Sequence, residues 1–141
     1  MARVSGDVDA RIRAQARNRC GYCLGHQDYV LARLHIDHII PQSHGGNSDE
    51  SNLWLSCPLC NGHKSDKVTA LDPETGVVAP IFNPRTQQWQ HHFRWADDGV
   101  HIIGLTPIGR GTIAALHLND DPIALTVRRN WVRAGWHPPE D

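Results

Sequence analysis

The stretch that decides the fold runs Cys20-Gly-Tyr-Cys23, then His35-Ile-Asp37-His38-Ile-Ile-Pro41-Gln-Ser43-His-Gly45-Gly46, then Asn52-Leu-Trp-Leu-Ser-Cys57-Pro-Leu-Cys60-Asn61-Gly-His-Lys64. Its four cysteines stand in two C-x2-C pairs. Thiolates at that spacing grip one face of a tetrahedral zinc ion, and two such pairs close a structural site. The 33 residues between Cys23 and Cys57 exceed the about 15–20 of a simple ribbon, so a folded insert is expected between the knuckles. Zinc bound by Cys20, Cys23, Cys57 and Cys60 has no open coordination position, so it staples and does not catalyse. In zinc-finger peptides such binding is worth about 10–16 kcal/mol, which predicts that the domain does not fold without the ion. Four free or redox-active cysteines are the alternative.

Working outward, Leu31 to Ile40 is rich in branched aliphatics and predicts a strand ended by Pro41. Gln42 to Ser51 reads as loop with a Gly45-Gly46 turn, Leu53 to Leu55 as a second strand, and Ser56 before Pro58 as a helix start. Before the first knuckle, Val8, Ile12 and Ala16 recur at i, i+4, i+8 and predict an amphipathic helix over 7–19, capped by Ser5 or Asp7. After Val68 the motif ends in a connector punctuated by Asp72, Pro73, Gly76, Pro80 and Pro84. Trp89–Trp95 and Val100–Leu105 flank Asp97-Asp98-Gly99 as a hairpin, and Thr112–Leu118 and Ile123–Trp136 read as helices. Trp131 and Trp136 are expected to anchor the last helix in the core. The fold class is α+β, in one domain over 1–141: a stapled ββα core at 20–66 and a hairpin-plus-helix extension at 75–141.

Strand, loop, strand and helix, carrying D-H-I-x-P-Q-S at the front and N-x2-K-S-D at the back, resemble the HNH (ββα-metal) endonuclease family. The form is its H-N-N variety, also found in the HNH domains of CRISPR effector nucleases. The segment I-F-N-P-R-x3-W-x2-H-F-R-W and the run after it look like the extension of compact prokaryotic, phage-like members. The resemblance implies that His38 is the general base and Asp37 a ligand of a catalytic divalent metal. It further implies that Asn52 holds the loop and orients the base, and that Asn61 stands where many members have their final histidine. It also implies DNA hydrolysis leaving 5′-phosphate and 3′-hydroxyl ends, by nicking or double-strand cutting.

A carboxylate from Asp37 and an amide oxygen from Asn61 are hard ligands that suit Mg²⁺ or Mn²⁺ better than zinc. Lys64 shares the Asn61 face at i+3, near a helix N-terminus, and reads as a phosphate contact. His63 lies about 200° round the helix from Asn61 and reads as structural or solvated. His35 shares the Asp37 face of a regular strand; an ordinary strand histidine, a second ligand and an outer partner are its readings. The same alternation sends Asp37 and His38 to opposite faces, which calls for a bulge or for ligand and base on two sides of the phosphate.

The net charge of -1 lacks the basic surplus usual in nucleic-acid binders. The charges are segregated, however. Arg3, Arg11, Arg13, Arg17, Arg19 and Arg33 outnumber the acids before Asp37, and Arg128, Arg129 and Arg133 form a basic group that reads either as a DNA backbone track, with Thr106, Arg110 and Arg85 as further phosphate candidates, or as ordinary solvated surface and fold-completing residues. No run is long and apolar enough for a membrane span, the first residues lack a signal-type apolar stretch, and paired C-x2-C thiols favour metal over disulfides. A reducing cytoplasm is the expected compartment. A non-catalytic zinc module binding nucleic acid or protein explains the cysteines but not Asp37, His38, Asn52 and Asn61; an RNA-cutting nuclease with the same site is the other alternative.

Overall fold

A computed structural model describes residues 4–140; Arg3, counted above in the basic group, lies outside them. The architecture is α+β, with three two-stranded antiparallel sheets and five α-helices among the described residues. The chain forms two compact units, one of residues 1–68 with 83–86 and one of 69–82 with 87–141.

In the first unit, α1 (Gly6–Gln15) starts under the Ser5 side chain, which accepts from the Val8 N–H, and it buries Ile12. It ends earlier than the periodicity suggests because Arg17 and Asn18 turn left-handed, at φ 58° and 55°, and the Asn18 N–H closes back on the Arg13 carbonyl at 2.9 Å. Strand β1 (His35–His38) pairs with β2 (Leu53–Ser56) in a ladder without a bulge, Asp37 opposite Trp54 and His38 opposite Leu53. The expected strand from Leu31 is cut to four residues. The Gln27 side chain takes the place of a partner strand upstream, donating to Ala32 O at 3.0 Å and accepting from the Leu34 N–H at 2.8 Å. Leu31 itself is fully exposed.

Helix α2 (Pro58–Lys64) completes the ββα order. Its cap is Cys57, one residue after the expected Ser56, with Pro58 at N1, where a missing N–H costs nothing. Ala16, Leu34 and Leu55 form the small core between α1 and the hairpin, each large apolar member contributing about 1.5–3 kcal/mol.

The second unit departs more from expectation. The connector folds into a hairpin, β3 (Thr69–Leu71) with β4 (Val78–Pro80). Its turn is built on buried Asp72, which accepts from Thr75 Oγ1 at 2.6 Å and from both Arg110 Nε and Nη2 at 3.0 Å; the Arg110 hydrogen bonds, foremost, hold this carboxyl well below the usual range. Residues 89–92, expected as strand, form one helical turn, α3 (Trp89–His92), ahead of β5 (Phe93–Trp95) and β6 (Ile102–Gly104). The turn places Trp89 over Phe93 at i+4, with ring centroids 5.1 Å apart.

Helix α4 (Pro107–Ala115) begins five residues before the expected Thr112, because Thr106 caps the Gly109 N–H and Pro107 sits at N1. Helix α5 (Pro122–Arg133) is capped by Asp121 and stops short of Trp136. There Gly135, at φ 79°, closes a Schellman pair, Trp136 N to Trp131 O at 2.9 Å and Gly135 N to Val132 O at 3.0 Å. Trp131 is buried as expected, whereas Trp136 is half exposed because it lies beyond that stop.

Candidate metal centre and active site

The two knuckles bring Cys20, Cys23, Cys57 and Cys60 together, each offering a sulfur within 4.8 Å of the others. Cys23 Sγ and Cys57 Sγ are 3.9 Å apart, close to the about 3.8 Å that tetrahedral Zn–S bonds of about 2.3 Å dictate. Backbone N–H groups turn toward the sulfurs, Tyr22 N to Cys20 Sγ at 3.5 Å and Cys60 N to Cys57 Sγ at 3.3 Å, the outer-shell support that orients thiolate ligands. Hydrogen bonding to Cys20 and Cys23, together with burial, holds the Cys57 and Cys60 thiols well above their ordinary range, so protons leave as an ion enters. The four residues fit a structural zinc.

Asp37 lies beside this cage and is 7% exposed. Its Oδ2 receives the Tyr22 hydroxyl at 3.4 Å and faces Lys64 Nζ at 3.4 Å, while Oδ1 has no hydrogen-bond partner among the described residues. Burial pushes the Asp37 carboxyl up, and the Lys64 ammonium opposes that shift. Burial, then the Asp37 charge, pushes the Tyr22 hydroxyl well up, so it stays a donor.

His38, one residue on, is half-buried and holds Ser48 Oγ at 3.0 Å through Nε2. The ladder is regular here, so ligand and base candidates point to opposite faces and no bulge is involved. Asn61 stands on α2 with its Nδ2 3.1 Å from His35 Nδ1. If the amide nitrogen donates there, Oδ1 remains as the ligand atom.

Asn52 makes no hydrogen bond to the His38 ring among the described residues. Its amide closes the loop between the strands, accepting from Ile40 N at 2.8 Å and donating to Ile40 O at 2.9 Å and Asn47 O at 2.7 Å. The residue on the ring is Ser48. Gly46 makes this closure possible: a Cβ there would sit 1.7 Å from the Ile40 carbonyl oxygen. Gly46→Ala therefore forces the backbone to move and destabilises the first unit by about 1–3 kcal/mol, read as a lowered urea midpoint at unchanged m. An unchanged midpoint would show that the loop yields freely.

The phosphate contacts read from sequence need correction. Lys64 is 1% exposed, and Nζ is committed to the Asp37 carboxylate and, at 3.0 Å, to the His38 carbonyl; the face it shares with Asn61 points inward. Arg128 is 2% exposed and donates to the Val100 and Leu118 carbonyls, so it builds the second unit instead of a surface track. Arg129 and Arg133 are exposed. Thr106 caps α4, Arg110 pairs with Asp72, and Arg85 donates to Leu53 O at 3.1 Å and stacks over Trp54. Ser48, Tyr22 and the partnership of His35 with Asn61 were missed because each is a contact between loop and strand or strand and helix, without a spacing in sequence.

Residues 20–67 match the family model described as HNH endonuclease. No curated protein and no solved structure matches the chain. The match spans the knuckles, both strands and α2, and it is framed by four cysteines arranged to bind a metal. A nuclease domain of this kind implies a nucleic-acid substrate. No helix among the described residues is long and apolar enough to cross a membrane.

Proposed function

We propose that this chain, with its HNH domain at residues 20–67, is an endonuclease that hydrolyses phosphodiester bonds in DNA with Mg²⁺ or Mn²⁺. The observation that carries the reading is the adjacent pair on β1. Asp37 is a buried carboxylate with one oxygen that has no hydrogen-bond partner among the described residues, and His38 is a half-buried imidazole with one nitrogen anchored.

Asp37 and Asn61 would hold the cation through oxygen. When bound, it would neutralise charge on the phosphate and on the leaving oxygen. His38 takes the proton from the attacking water. With Nε2–H donating to Ser48 Oγ, the lone pair sits on Nδ1, and the ring cannot rotate away without losing the serine contact. Asn52 keeps the loop that carries Ser48 closed. Asn61 donates to His35 and keeps its oxygen for the cation. Lys64 offsets the buried charge of Asp37. The four-thiolate zinc has no open position and carries no step. Arg129 and Arg133 are the remaining candidates for DNA backbone contacts.

The test is cleavage of supercoiled plasmid by zinc-loaded protein with Mg²⁺, Mn²⁺, added Zn²⁺ alone or EDTA, with single-stranded RNA as competitor. Cutting with Mg²⁺ or Mn²⁺, none with EDTA, and little inhibition by RNA is expected. Activity with added zinc alone and none with magnesium would contradict the ligand assignment. Preferential RNA cutting would move the substrate to the other nucleic acid.

A further inference from the structure

Tyr22 stands between the two cysteines of the first knuckle and is 1% exposed. Lys64 stands four residues beyond the last cysteine of the second knuckle, on α2, and is also 1% exposed. The two come from different knuckles, yet both meet one atom. The phenol hydroxyl is 3.4 Å from Asp37 Oδ2 and the ammonium is 3.4 Å from the same oxygen. Lys64 also donates to the His38 carbonyl at 3.0 Å, so it touches the strand at the base as well as at the ligand. The hydrolytic scheme uses neither group on the substrate.

We propose that Tyr22 and Lys64 are positioning residues through which the structural zinc sets the grip of Asp37 on the catalytic cation. The inference rests on Asp37 being a ligand of that cation. The spacing between Tyr22 and Lys64 depends on how Cys20 and Cys23 are held against Cys57 and Cys60. An ion bonded to all four fixes that spacing, and with it the slot that receives Oδ2. Holding Oδ2 fixes the carboxylate plane and presents Oδ1, the oxygen without a partner. A carboxylate fixed in advance loses less freedom on binding a cation than one that must be ordered by it. Zinc in this chain is thus a template for the second metal, beyond its part in folding.

The test is Tyr22→Phe, which keeps the ring and removes only the donor. Zinc content is measured by release to a colorimetric chelator after thiol modification, and folding by the thermal melt. Mn²⁺ affinity is read without substrate from the electron paramagnetic resonance signal of the free ion. The expected result is one zinc per chain, a wild-type-like melt, and Mn²⁺ bound about 10-fold more weakly. Lys64→Met is expected to weaken Mn²⁺ further where it remains folded. Wild-type Mn²⁺ affinity in Tyr22→Phe, with Asp37→Asn weakened, would overturn the positioning role and leave the ligand standing. Unchanged affinity in Asp37→Asn as well would overturn both.

Discussion

Removing the structural ion, by unfolding in chelator and refolding without zinc or by Cys57→Ser, unfolds the first unit. The expectation follows from how little else holds it. Its sheet is two strands of four residues each, and besides the cysteines its fully buried apolar side chains among the described residues are Ile12, Tyr22, Leu34, Leu53 and Leu55. Small units with so thin a core depend on a staple. Four sulfurs within 4.8 Å of one another, three of them on buried cysteines, are the staple this unit has. A structural zinc is worth about 10–16 kcal/mol, at or above the whole stability of a typical domain at about 5–15 kcal/mol. Far-UV circular dichroism of the zinc-free protein should show loss of α1 and α2 signal, restored by stoichiometric Zn²⁺. A zinc-free protein melting cooperatively within a few degrees of the zinc-loaded one would show that packing alone suffices.

His38→Ala should reduce metal-dependent cleavage by about 10²–10⁴-fold, the usual contribution of a positioned proton-transfer group, while zinc content and melting stay as in the wild type. Its side chain is half-buried and its recorded partner is Ser48 Oγ, so truncation strands no buried charge. The same cannot be said of Asp37→Ala. That change leaves the Lys64 ammonium buried without its carboxylate, a situation that costs about 3–5 kcal/mol, and lost activity could then reflect lost structure.

Much of the first unit was legible in the chain. The C-x2-C pairs, the Asp37-His38 dipeptide and the Asn61 position are local patterns, and local patterns survive folding. What the sequence concealed were lengths and directions. β1 is short because the Gln27 side chain takes the upstream backbone groups, a contact with no periodic signature. Helical spacing and the nearby helix N-terminus point Lys64 outward to a phosphate, and burial against Asp37 reverses that reading. Three helix starts were there to be read, one in the first unit and two in the second: Cys57-Pro58, Thr106-Pro107 and Asp121-Pro122 each place a capping side chain before proline at N1. The last two were passed over because the apolar periodicity that marked those helices begins later. Likewise Asp72-Pro73-Glu74-Thr75-Gly76 is turn chemistry, and Ala70 and Ala79 pair across it, but strands of three residues fall below what alternation can reveal.

The central claim is that the Asp37/His38 strand hydrolyses DNA. It is tested most directly by incubating supercoiled plasmid and Mg²⁺ with zinc-loaded wild type and zinc-loaded His38→Ala, each first shown to be folded. The account predicts relaxed or linear product from the wild type, none within the same time from the variant, and none from either in EDTA. Equal cutting by the two proteins, or a folded wild type that cuts no DNA with Mg²⁺ or Mn²⁺, would contradict it.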